Sequence, residues 1–137
     1  GNSDIDWLNA AIDMPTVKLT PFIHKMSDAY SAADIVISRA GALAMEELKA
    51  CGKPMILIPF PFAAADHQTE NAKSLAMENA AICISQTEMN EGFLETTIIE
   101  LFKNEQKLKS LKENAKRLSF PNALIEISNQ IMELAQA

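Results

Sequence analysis

The sequence holds 137 residues at 15.0 kDa, the size of one ordinary domain and enough to bury a core without disulfide staples. Lysine and arginine total 12 against 18 aspartates and glutamates, a net charge of −6, and only Arg39 and Arg117 are arginines. This excludes a nucleic-acid face, which needs a basic stripe, and a polybasic membrane anchor. The longest apolar run, Met55 to Ala65, contains Pro59 and Pro61 and is too short to span a bilayer; no signal peptide is recognised. Cys51 and Cys83 form neither a disulfide framework nor a metal-ligand spacing, which fits a reducing cytoplasm.

Residues 1–13 carry only a weak helical pattern around Trp7 to Ile12. Val17 to Phe22 reads as a strand between Pro15 and Pro21, and Lys25 to Ala33 as a short helix with Met26, Ala29, Tyr30 and Ala33 on one face. Asp34 to Ser38 is a short β-branched strand. Ala42 to Cys51 is a helix ended by Gly52 in the left-handed position and by Pro54 beyond it. Met55 to Ile58 is an apolar run of the kind buried on both faces of a sheet. After the loop Pro59 to Asp66 come a helix over His67 to Asn79 and a strand over Ala81 to Ile84. Three helices close the chain, at Asn90 to Lys103, Glu105 to Leu118 and Asn122 to Leu134, with Leu101, Leu108 and Leu111 turned inward. Strands alternating with helices predict an α/β fold: a Rossmann-like parallel sheet with helices on both faces. Cys51 and Cys83 read as small buried apolar residues.

In such sheets ligands sit beyond the carboxyl ends of the strands. Two loops are therefore the candidates. Arg39-Ala40-Gly41-Ala42-Leu43 is short and opens a helix whose free N–H groups attract a phosphate. Pro59 to Asn71 places Asp66, His67, Gln68, Glu70 and Asn71 after an apolar stretch, a set of donors and acceptors suited to a hydroxyl-rich ligand. Arg39 has Asp34 and Glu47 as candidate carboxylate partners, and His24 reads as a solvent-facing loop residue.

The order Pro21-Phe22-Ile23, Met26, Ala33-Asp34, Arg39-Ala40-Gly41-Ala42-Leu43-Ala44-Met45-Glu46-Glu47, Gly52-Lys53-Pro54, Ile58-Pro59-Phe60, Asp66-His67-Gln68 and Asn71-Ala72 resembles the C-terminal, donor-binding half of the family 28 glycosyltransferases. The likeness runs from Val17 to the C-terminus. It is strongest to the members that move N-acetylglucosamine from UDP-GlcNAc to the lipid-linked muramyl-pentapeptide precursor of peptidoglycan. The resemblance implies a lead-in segment, 1–16, and a UDP-sugar donor-binding domain, 17–137, of a two-domain GT-B enzyme. It implies that Ile23 offers backbone groups to the uracil, with Phe22 and Met26 packing near the base. Gly41, Ala42, Leu43 and Ala44 would approach the diphosphate and ribose, Glu47 would accept the ribose hydroxyls, and Gln68, with His67 and Asn71, would hold the sugar hydroxyls. No cofactor and no metal are implied. The full-length enzyme would act in the cytoplasm, peripherally at the inner face of the plasma membrane.

The chain also departs from the family. Ala40 and Ala44 stand where many relatives have Ser and Thr, so the diphosphate would rely on backbone N–H groups. None of the four glycines, Gly1, Gly41, Gly52 and Gly92, builds the glycine-rich loop that opens the family's donor half, whose first strand is missing as well. The acceptor domain, with the catalytic groups, is absent. The expectation is therefore a fragment with no catalytic residue of its own, inactive in isolation. Its open sheet edge, beside Asp34 to Ser38, would be covered by Val17 to Phe22 or, as we favour, by a second copy in a homodimer. Two other readings share the same donor half: a diacylglycerol glycosyltransferase, and a UDP-sugar-binding module that needs a separate acceptor subunit. Asp4-Ile5-Asp6 has the DxD spacing of another glycosyltransferase class, but no strand precedes it, and it reads as a terminal segment rather than a metal site.

Overall fold

The computed structural model describes residues 16–62, 66–90, 92–120, 122 and 131–132. The expected N-terminal helix, Asp4-Ile5-Asp6 and nearly all of the expected helix Asn122 to Leu134 lie outside the described residues. The chain divides into two compact units, Gly1–Ala32 and Ala33–Ala137.

In the first unit, helix α1 (Met26–Ala32) carries one buried side chain, Tyr30. The expected strand Val17 to Phe22 is not present: these residues are irregular. The reason is local. Pro21 has no N–H for a ladder, and the Thr20 hydroxyl donates to the Phe22 carbonyl at 2.9 Å, closing the backbone on itself. Val17 and Phe22 are both exposed, so the segment lacks the buried face that would hold it in a sheet. His24 is exposed, as expected, with its ring edge-on to Phe22 at 5.0 Å.

The second unit follows the expected alternation. Its elements are β1 (Val36–Ser38), α2 (Ala42–Ala50), β2 (Met55–Leu57), α3 (His67–Met77), β3 (Ile82–Cys83), α4 (Phe93–Phe102) and α5 (Glu105–Arg117). The three strands are parallel in the order β1-β2-β3, with Ile37 opposite Ile56 and Leu57 opposite Cys83. Because side chains alternate along a strand, Ile56 and Ile58 share one face. With Ile84 they form a core against Leu101 of α4 and Leu111 of α5, flanked by Leu108. The inward-facing leucines are thus where the helical period placed them. Met55 and Leu57 point the other way and are also wholly buried, so the central strand is covered on both sides.

Two helix ends carry the same backbone motif. After α2, the N–H of Gly52 donates to Lys49 O and that of Lys53 to Leu48 O, with Gly52 at φ +58°. A Cβ on Gly52 would lie 3.5 Å from Lys116 Cβ and 3.6 Å from Lys112 O, so this left-handed turn also sits close against α5. After α3, Asn79 at φ +51° takes the glycine's part, with Asn79 and Ala80 donating to Ala76 O and Leu75 O. Cys51, expected to be buried, is exposed, because it caps the end of α2 at the surface; Cys83 is half-buried.

Candidate functional site

The loops leaving the carboxyl ends of all three strands meet through Arg39, the residue that follows β1. Its Nη1 donates to Ile58 O and Pro59 O after β2, both at 3.2 Å, and to Gln86 Oε1 after β3 at 2.9 Å. The guanidinium also lies over the Phe60 ring, 5.6 Å from its centroid. None of these partners is one of the carboxylates, Asp34 or Glu47, weighed from the sequence. Arg39 joins loops instead of balancing a charge.

Behind Arg39 the chain turns into α2. Ala40 is wholly buried, so its methyl belongs to the interior of the turn. Gly41 caps α2 at φ −69° and ψ 137°, without a side-chain cap bond. The first-turn amides of a helix have no carbonyl within it to bond, so those of Ala42, Leu43 and Ala44 are presented at this end. Gly41 has no conformational need to be glycine, since any residue adopts that φ, and a Cβ there would meet nothing within 4 Å among the described residues. Leu43 is 75% exposed.

Down the same helix, Glu47 is four residues after Leu43 and three after Ala44, on one stripe with them. Glu46 is on a different stripe and is engaged: its carboxylate pairs with Lys49 Nζ at 2.6 Å.

The second loop is tied to α3. The Phe60 N–H donates to Gln68 Oε1 at 3.0 Å, which leaves the amide –NH2 of Gln68 as its donor end. His67 is exposed, while Gln68 and Asn71 are half-buried. Their spacing puts the three on one side of α3. Asp66, just before the helix, holds a left-handed φ of +56°, a region that aspartate enters more readily than most residues.

The loop after β3 is closed by a reciprocal turn. Glu88 Oε2 accepts from Ser85 N at 3.0 Å and from Ser85 Oγ at 2.6 Å, and Glu88 N donates back to Ser85 Oγ at 3.3 Å. The Ser85 hydroxyl and then its N–H hold the Glu88 carboxyl below its ordinary range. Their support is complete above that range and is lost as acid protonates the group. Cys83 nearby is pushed up by burial and by the Glu88 charge, with Lys73 opposing, so its thiol stays protonated at neutral pH. Among the described residues no cluster of His, Cys, Asp and Glu could hold a metal ion.

Phe22, Ile23 and Met26 belong to the first unit, where all three are exposed. The second unit brings Gly41, Ala42, Leu43, Ala44 and Glu47 onto α2, and His67, Gln68 and Asn71 onto α3. Sequence reasoning missed Gln86 and the role of Arg39. The rule that selected the first two loops, position just beyond a strand's carboxyl end, also selects Ser85 and Gln86.

A parallel β-α-β-α-β unit, with its exit loops gathered at the carboxyl ends of the strands, is one half of a doubly wound α/β fold. The chain belongs to the glycosyltransferase family 28 C-terminal domain, which residues 2–127 match. It is 40% identical over 129 residues to a Bacteroides fragilis protein named UDP-N-acetylglucosamine--N-acetylmuramyl-(pentapeptide) pyrophosphoryl-undecaprenol N-acetylglucosamine transferase, covering 94% of this chain and 34% of that one. An Idiomarina loihiensis protein of the same name is 40% identical over 131 residues, covering 96% and 36%. The crystal structure of Acinetobacter baumannii MurG superposes with a TM-score of 0.85 at 34% identity, over 97% of this chain and 39% of that one. The chain thus spans little more than a third of the length of these relatives.

Proposed function

We propose that residues 17–137 are the donor-binding domain of an inverting hexosyltransferase that passes N-acetylglucosamine from UDP-GlcNAc to a lipid-linked muramyl-pentapeptide. The names of the relatives support the reaction, and the start of α2, with no side-chain cap at Gly41, carries the assignment of the site. On this reading the amides of Ala42, Leu43 and Ala44 hold the diphosphate. A helix start offers unpaired N–H groups and the positive end of a dipole, so backbone suffices where Ala40 and Ala44 supply no hydroxyl. Glu47 accepts both ribose hydroxyls, a charged acceptor matched to a vicinal diol. Gln68, held by Phe60, turns its –NH2 toward the sugar, with His67 and Asn71 on the same helix side. In the first unit, Ile23 supplies backbone groups to the uracil and Phe22 and Met26 its apolar contacts.

Catalysis needs a base and a positioned acceptor hydroxyl, and neither is assigned to this chain. The acceptor is bound by the remainder of the enzyme, at the inner face of the plasma membrane. No helix among the described residues is long and apolar enough to cross a membrane. The outer edge of β1 pairs with no strand among the described residues, and Ile37 on that strand is exposed. Such an edge invites cover, and a homodimer through it is the form proposed for the chain by itself. Titration calorimetry with UDP, UDP-GlcNAc and UDP-galactose tests the donor reading. Saturable binding of UDP, with UDP-GlcNAc preferred over UDP-galactose, is expected; absence of binding to all three contradicts it.

A further inference from the structure

We propose that Gln86 is a positioning residue for the donor site, acting through Arg39; this rests on the donor reading above. Gln86 stands beyond β3, on none of the segments that would touch the donor. Its carbonyl oxygen accepts from Arg39 Nη1 at 2.9 Å, the shortest of the three bonds that nitrogen makes. Arg39 is two residues before Gly41, so where its guanidinium is held governs how the chain enters the α2 turn. The same guanidinium bonds Ile58 O and Pro59 O and lies over Phe60, whose N–H is held by Gln68. A continuous set of contacts therefore runs from Gln86 to both loops of the site.

Gln86 is itself held in place. The Ser85–Glu88 turn closes around it through the two bonds to Glu88 Oε2, and Ser85 Oγ lies 3.0 Å from Thr87 Oγ1. Removing the acceptor would leave Arg39 bonded only to the β2 loop and free the β1 turn to drift from the position that aims its amides. Glutamine suits this post because it presents an acceptor without charge. A carboxylate would hold the arginine at least as firmly, and this separates positioning from direct contact with the donor.

The test is the affinity for UDP of the 137-residue chain and of three variants, with Tm measured alongside. Gln86→Leu should weaken UDP binding about fivefold, the scale of one ordinary net hydrogen bond, with Tm within a few degrees. Gln86→Glu should bind within about twofold of the unaltered chain, since Arg39 keeps its acceptor. In an Arg39→Lys background, Gln86→Leu should cause no further loss, because residues acting through one another are not additive. Equal affinity of Gln86→Leu and the unaltered chain overturns the proposal. So does a loss in Gln86→Glu, which would mean that residue 86 meets the donor's phosphates directly, and so does a loss in Gln86→Leu explained by unfolding. If the unaltered chain binds no UDP, the donor reading falls and this proposal with it; binding that is indifferent to residue 86 removes this proposal alone.

Discussion

Gly41→Leu is expected to abolish measurable UDP binding while the protein stays folded. The backbone at Gly41 has φ −69°, so leucine meets no conformational strain, and among the described residues nothing lies within 4 Å of a Cβ there. The cost to the fold is that of a poorer helix cap, about 1 kcal/mol at most. The cost to binding is larger. A branched side chain at 41 stands in front of the Ala42 to Ala44 amides and keeps a diphosphate from reaching them. Losing two charge-assisted hydrogen bonds, each about 1.5–3 kcal/mol, weakens binding by about a hundredfold or more. Calorimetry and thermal melting on the same sample read both quantities. Unchanged affinity would mean that the start of α2 is not where the phosphates go.

Glu47→Ala and Glu46→Ala should fail in different ways. Glu47→Ala removes the proposed acceptor of the ribose diol and should weaken UDP binding about tenfold or more. Glu46→Ala should leave the affinity nearly unchanged and cost stability instead. It strips the partner from Lys49, whose side chain is only 9% exposed and whose ammonium also sits 5.7 Å from the Phe120 ring centroid. The Glu46 end is more than half exposed, so the loss is about 1 kcal/mol at most. Equal effects of the two substitutions on UDP affinity would place the nucleotide on another face of α2.

Where local physics decides the outcome, the sequence was legible. Gly52 and Pro54 ended α2 as read, the apolar run at Met55 became the buried central strand, and α5 turned Leu108 and Leu111 inward. The two loops chosen for chemistry are the ones that Arg39 and Gln68 hold at the carboxyl ends of β1 and β2. What misled was content that local pattern does not carry. Val17 to Phe22 has β-branched and aromatic residues, yet no buried face, and a strand needs a partner as well as a propensity. Cys51 is apolar in kind, but the end of a helix is a surface position. The partners of Arg39 are 19, 20 and 47 residues away, and two of them are backbone carbonyls, which no residue type announces. Gln86 was passed over although the same strand-end rule selects it; its bond to Arg39 follows from the parallel order β1-β2-β3, which brings the third exit loop to the other two.

The central claim is that a UDP-sugar is held where the strands' carboxyl ends meet the start of α2. Amide chemical-shift mapping of the chain during titration with UDP-GlcNAc tests it most directly. The account predicts the largest shifts at the amides of Gly41 to Ala44, with smaller ones at Glu47 and at Gln68 and its side-chain –NH2. Shifts gathered instead at the amino ends of the strands, around Asp34, Lys53 and Lys109, would contradict it.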